Sequence, residues 1–200
     1  MNQFRSSQMH PAFRLSRDCA CAFAIVAAAA PLVSTAAPLT VEPARSEVAF
    51  VSKQMGVPVE GRFRRFSVQL DFDARKPEAS KASLDVDIAS IDAGSEEANG
   101  EVVRKAWFDA ARFPKATFAS TSVKALGPNR YELTGTMTIK GKSKTVTTPF
   151  TVKPAGSGQV FEGTFLMNRS DFGIGDGPWN DPETVAYEVQ VRFKFTTTGK

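Results

Sequence analysis

Residues 184–197 read TVAYEVQVRFKFTT. Val185, Tyr187, Val189, Val191, Phe193 and Phe195 share one parity, and Glu188, Gln190, Arg192 and Lys194 take the other. A period of two over this length is a strand with one apolar and one wet face. The rhythm recurs upstream. In residues 130–140 (RYELTGTMTIK), Tyr131, Leu133, Gly135, Met137 and Ile139 alternate with Arg, Glu, Thr and Lys. It returns at Val48/Phe50, Val68/Leu70/Phe72, Leu84/Val86/Ile88, Val146/Phe150/Val152 and Phe161/Phe165/Met167, and Phe118 and Val123 sit in a Thr- and Ser-rich stretch. Turn signals at 74–77, 127–129, 140–143 and 155–158 separate these runs. Eight strands are predicted, near 46–53, 61–73, 80–91, 116–125, 130–140, 143–153, 159–172 and 184–197. Phe63 and Phe66 differ in parity, as do Phe118 and Val123, which predicts a bulge in each strand. Residues 95–113 (SEEANGEVVRKAWFDAARF) lack alternation and place Val102, Val103, Ala106 and Trp107 at helical spacing. One or two short helices are expected there, between strands 3 and 4. The architecture is therefore all-β: an eight-stranded antiparallel barrel, since closure removes exposed edges. Such a barrel either fills its interior with side chains or holds one small ligand.

The chain has 200 residues, 42% hydrophobic and 23% charged, which fits one globular domain. Its beginning stands apart. Arg5, Arg14 and Arg17 precede an apolar run from Cys19 to Val33 that ends in Ser34, Thr35, Ala36 and Ala37. That order predicts a secretory signal peptide over 1–36, cleaved after Ala36, and hence an exported domain over 37–200. The apolar run is short of the ~20 residues needed to span a bilayer. Cleavage removes both cysteines (Cys19, Cys21) and the one histidine (His10). It leaves 22 basic against 20 acidic residues. Without Cys or His there is no disulfide, no Ser-His-Asp or Cys-His site and no histidine metal site. Only a carboxylate site for a hard cation or a glycosidase-type acid pair stays open, so a non-enzymatic protein without metal or cofactor is expected. An outer-membrane barrel would need aromatic girdles, for which only Trp107, Trp179, Tyr131 and Tyr187 are on hand. Nucleic-acid binding would need a broad basic face, and a net charge of +2 supplies none.

Four stretches together carry a resemblance. They are LTVEPARSEVAFVSKQMGVPVEGRFRRFSVQLDFD at 39–73, ARFPKATFAST at 111–121, YELTGTMTIKGKSKTVTTPF at 131–150 and NRSDFGIGDGPWNDPETVAYEVQVRF at 168–193. In this order the chain resembles the YceI-like family of bacterial secreted, polyisoprenoid-binding proteins. The resemblance implies a lipocalin-like barrel, a periplasmic location, and an isoprenoid or quinone-like lipid in the interior. One motif departs from the family pattern. Where many relatives have Arg-Asp-x-His-Leu, residues 99–104 read NGEVVR, without the histidine. The Gly-Asp-Gly-x-Trp segment at 175–179 resembles the branch associated with cytochrome b561-type membrane proteins. Such a partner would be a separate protein, and a homodimer is compatible with the same reading.

Composition alone leaves a solid core and a cavity both open; the resemblance favours a cavity. Its candidate lining follows strand parity. The first strands contribute Phe50, Leu70 and Phe72, then Leu84, Val86 and Ile88; the later ones add Met137, Ile139 and Phe150, then Phe165, Met167, Val189 and Phe193. Met137 and Met167 suit a floppy chain, because thioethers repack easily. Trp107, Arg169, Asp171 and Trp179 are the candidate mouth residues. Alternation puts Arg169 and Asp171 on the inward face, where charges need partners, so an Arg–Asp bridge closing the barrel end is expected over an Arg that meets a ligand head group. Gly173–Gly177 looks like a phosphate loop, but Pro178 and Pro182 forbid the helix it would open; a turn folding Trp179 over the barrel end is expected. Lys140, Lys142 and Lys144 read as a solvated hairpin tip, and Asp85 and Asp87 as a wet strand face. The alternatives are a solid-core accessory protein docking to a membrane cytochrome and a lipid-modifying enzyme.

Overall fold

The computed structural model describes residues 38–199; the expected leader and its cleavage point lie outside them. Ten strands form one antiparallel sheet: β1 (Glu47–Gln54), β2 (Val57–Phe63), β3 (Phe66–Asp71), β4 (Lys81–Asp87), β5 (Ile91–Asp92), β6 (Lys115–Gly127), β7 (Arg130–Ile139), β8 (Lys142–Ala155), β9 (Gly158–Asn168) and β10 (Glu188–Thr196). Their order is β3-β4-β6-β7-β8-β9-β10-β1-β2-β5. Ten replaces the expected eight because two predicted strands are each broken. The 61–73 strand breaks at Arg64-Arg65, and the 80–91 strand breaks at a 3-10 turn, Ile88–Ser90.

The two breaks face each other and satisfy each other's backbone. Arg64 N–H donates to Ser90 O at 3.0 Å and Asp87 N–H to Arg65 O at 3.0 Å. The Ser90 hydroxyl accepts from Arg65 N–H at 2.9 Å and donates to Asp87 O at 2.6 Å. A buried serine thus takes up the backbone groups that a kinked ladder would strand. Because β2 pairs with β1 and β5 while β3 pairs with β4, each end of the sheet carries one half of each bent strand, β3 and β4 at one end and β2 and β5 at the other. The sheet curls back on itself as a lipocalin-like barrel. Leu39 N–H donates to Leu70 O at 2.7 Å and Thr198 N–H to Thr40 O at 2.9 Å, so residues 39–42 lie between β3 and the end of β10.

The bulge expected between Phe118 and Val123 is present. Ser120 pairs with Gly135 and Ser122 with Thr134, which leaves Thr121 extra and lets Phe118 and Val123 both face inward. At Phe63/Phe66 the parity change is the strand break rather than a bulge. One helix, α1 (Glu96–Val102), fills the β5–β6 connection. Ser95 caps it by accepting from Ala98 N–H at 3.1 Å, with Glu96 and Glu97 in its first turn. The predicted 159–172 strand ends at Asn168, whose side chain accepts from Ser170 N–H at 3.0 Å and starts a 3-10 turn, Arg169–Phe172. One barrel end is packed with aromatics: Phe72 meets Tyr131 edge-on at 5.0 Å and Phe161 at 5.3 Å, and Tyr131 stacks on Phe150 at 5.3 Å.

Candidate binding site

The interior holds two adjoining chambers. The inner one, about 140 Å³, takes its wall from the barrel strands: Leu70, Phe72, Leu84, Val86, Met137, Phe150, Phe165 and Phe193 all line it. The outer one, about 620 Å³, lies between α1, the end of β1 and the β9–β10 loop, and reaches the surface at exposed Gln54, Glu97 and Arg104. Phe50, Val189, Trp107, Arg169 and Trp179 line it. Phe63, Met167 and Val191 line both and form the waist between them. Strand parity had pointed to Met167 but not to Phe63, which sits at the bend where parity changes. Val191 and Phe118 have the inward parity of their neighbours and were legible on that ground.

Two predicted lining residues stand outside both chambers. Ile88, 1% exposed, falls in the 3-10 break, where alternation stops selecting a face. Ile139, at the end of β7, packs with Phe172 and Ile174 beneath the β9–β10 loop.

Three glycines keep the interior hollow despite its phenyl rings, Gly135 and Gly163 at the inner chamber and Gly61 at the outer one. A Cβ on Gly61 would fall 2.2 Å from the Phe50 ring, on Gly135 2.3 Å from Phe118, and on Gly163 2.3 Å from Phe193. Gly61 is paired directly with Phe50 and Gly163 with Phe193. Each ring therefore lies over a glycine of the neighbouring strand, along the wall instead of across the lumen. The signal in sequence was an inward-parity glycine within a strand, which marks a close approach.

Arg169 differs from the expected bridge. It is 2% exposed, and five backbone carbonyls take its five N–H donors. Nε donates to Ala186 O at 3.1 Å, Nη1 to Ile174 O at 2.7 Å and Gly175 O at 3.0 Å, and Nη2 to Trp179 O and Val185 O at 2.7 Å each. Trp107 and Tyr187 flank the guanidinium at 5.8 and 5.2 Å. Burial holds its pKa below the ordinary arginine value, an effect opposed by Tyr187 and Asp176. Asp171 is not its partner: the 3-10 turn rotates it outward, where it lies 3.9 Å from Lys144. Arg169 is thus the hub of the loop over the outer chamber. Gly175, at φ 76°, lets the carbonyls approach; a Cβ there would stand 2.3 Å from Nη1.

Trp179 packs against Trp107 with ring centroids 5.4 Å apart, so the glycine-rich segment is the expected turn with its tryptophan over the opening. The Trp107 indole N–H is buried and has no partner among the described residues. Asp181 orders the following turn by accepting from Thr184 Oγ1 at 2.7 Å and Glu183 N–H at 3.1 Å, bonds that hold its carboxyl below the usual range. Lys140 departs from a solvated tip: it donates to Gly173 O and lies 3.6 Å from Asp176. Asp85 and Asp87 pair with Lys115 at 3.2 Å and Arg65 at 2.8 Å.

A curled antiparallel barrel with an apolar interior, opening beneath a short helix, defines a lipocalin-like class of protein. Residues 39–197 match the YceI-like domain, and the chain belongs to that family. It is 34% identical over 131 residues to a UPF0312 protein of Pseudomonas savastanoi, covering 60% of this chain and 66%, just under two thirds, of that relative. A UPF0312 protein of Pseudomonas putida is 33% identical over 139 residues, 66% of this chain and 72% of the relative. The crystal structure of Burkholderia cenocepacia BcnA superposes with a TM-score of 0.77 at 46% identity, covering 79% of this chain and 99% of BcnA. A polyisoprenoid-binding domain from Saccharophagus degradans has the same fold, with a TM-score of 0.64 at 17% identity over 82% of this chain and 99% of that one.

Proposed function

We propose that the protein is an exported, periplasmic binder or carrier that holds a long isoprenoid or quinone-like chain in the barrel, without catalysing a reaction. The observation that carries this reading is the pair of adjoining chambers, hollow and apolar inside, more polar where they reach the surface. A chamber of about 140 Å³ accepts the end of an apolar tail, and one of about 620 Å³ accepts more chain with its head group. The polyisoprenoid-binding description of the Saccharophagus domain supports the ligand class, and the basic-apolar-small order of residues 1–36 supports export. A binding role fits the chemistry of the opening. Arg169 is committed to carbonyls and Asp171 points outward, so neither faces a ligand as acid or base.

Native mass spectrometry of protein taken from the periplasm should show a co-purifying apolar molecule. Delipidated protein should take up isoprenoid quinones in titration. Protein that is empty as isolated and takes up no isoprenoid overturns the reading.

A further inference from the structure

We propose that the β1–β2 hairpin tip is a bilayer-docking element, through which the opening of the barrel is set against the lipid phase. The inference rests on the lipid-carrier reading. The hairpin turns at Met55-Gly56, with φ of 48° and 77°. A two-residue turn with both central residues in the left-handed region favours Asn or Asp before Gly. Met55 instead stands there 73% exposed, with Val57 62% exposed two residues on; these are the most exposed of the large apolar side chains among the described residues. The molecule supplies its own controls. The other tight hairpins turn at Pro128-Asn129, Lys140-Gly141 and Gly156-Ser157, and Asn129 and Lys140 are the non-glycine residues at positive φ there. Only the Met55 tip, among these, gives an apolar side chain to water at a position where a polar one fits the backbone as well or better.

Its place in the fold gives the tip a use. Met55 N–H donates to Thr184 O at 2.9 Å, and Gln54 bridges to Val185. Gln54 and Val185 both line the outer chamber, so the tip stands on its rim. Val57 has the parity of Val59 and Phe63, which line the chamber, so one apolar stripe runs from the exposed tip into the lumen. The remaining exposed large apolar residues, Leu126 and Leu166, lie on β6 and β9 without such a neighbour two residues away. A bilayer is the phase in which an isoprenoid chain resides, and an apolar stripe leading from it lets the chain enter without crossing water. Residues 53–59 carry one charge, Lys53, so docking rests on apolar insertion and not on anionic head groups.

The test uses flotation with phosphatidylcholine vesicles and with phosphatidylcholine–phosphatidylglycerol vesicles. It also follows the transfer rate of a fluorescent isoprenoid from vesicles to protein. The double variant Met55→Asn, Val57→Thr suits the turn and the strand, so its folding is preserved. Wild type is expected to float with both vesicle types alike. The variant should lose about tenfold in partition and transfer proportionally more slowly, with unchanged affinity for the same isoprenoid offered in detergent micelles. Wild type that does not float, or a variant that floats and transfers like it, overturns the proposal. So does flotation that requires native membrane proteins and is abolished by protease treatment of the vesicles, which assigns the tip to a protein partner. If micellar isoprenoid is not taken up, the carrier reading fails, while flotation still decides the docking.

Discussion

Arg169 shows how a single residue organises the opening. Its five donors close the loop from Ile174 to Ala186 around one buried point, so truncation strands five carbonyls at once. Arg169→Met should cost about 3–5 kcal/mol of stability, read as a fall in the urea midpoint. Arg169→Lys should recover little of it, because an ammonium offers three donors from one point and not five in a planar fork. A loss below about 1 kcal/mol in either variant would show that the carbonyls find other partners. Asp181 acts in the same loop with a pH signature. Its carboxyl titrates below the ordinary value of 3.8 when folded, so its stabilisation is complete above that value and is lost as pH falls through the folded pKa. Asp181→Ala should therefore weaken the protein at neutral pH and flatten the acid limb of the stability curve below pH 3.8. An acid limb identical to wild type counts against this assignment. None of Arg169's partners had a sequence signature, because backbone carbonyls carry no residue code; parity announced only that its charge needed company.

At the scale of the element, the three glycine–phenylalanine pairs decide whether the barrel is hollow. Gly163→Ala would bring a methyl to 2.3 Å from Phe193 and 2.9 Å from Pro149 O, so the ring must leave the wall and enter the inner chamber. Isoprenoid affinity should fall, with about 1–3 kcal/mol lost from overpacking. Adding Phe193→Leu removes the ring that moves, and should restore binding more than stability, since the carbonyl contact remains. Equal affinity for wild type and Gly163→Ala in a binding titration would show that the ring does not define the lumen. The same pairs explain what was legible beforehand. Alternation in β6 to β10 identified the inward faces, and the Phe118/Val123 parity change announced a bulge between those two residues, which the register places at Thr121, because both are properties of one strand. The parity change at Phe63/Phe66 marked an irregularity at Arg64-Arg65 but not a full break. The break at Ile88–Ser90 was not legible, because apolar residues continue across it and only pairing between the two strands makes the breaks match. Division into two chambers was hidden likewise, since a phenyl ring lying over a glycine is a relation between strands that no single periodicity records.

At the scale of the molecule, a barrel that is hollow gives up packing, and its ligand should return that stability. Isoprenoid at a hundredfold its Kd adds about 2.7 kcal/mol. For a domain of this size that is a rise of about 5–10 °C in Tm. Met137 tests where this gain resides. It lines the inner chamber, on β7 opposite Lys144 and beside Phe118 across the β6 pairing. Met137→Trp puts an indole into space that a tail end would take. In a solid core the change costs about 1–3 kcal/mol; in a chamber of about 140 Å³ the ring has room. The delipidated variant should therefore melt near or above wild type, because filled space regains contacts that a void forfeits. The rise on adding isoprenoid should shrink, because tail and indole compete for one volume. Melting of delipidated and loaded protein, measured together, separates the two effects. A sharp drop in the delipidated Tm with an undiminished rise on loading would mean that the space beside Met137 is already packed and that the lipid chain lies wholly in the outer chamber.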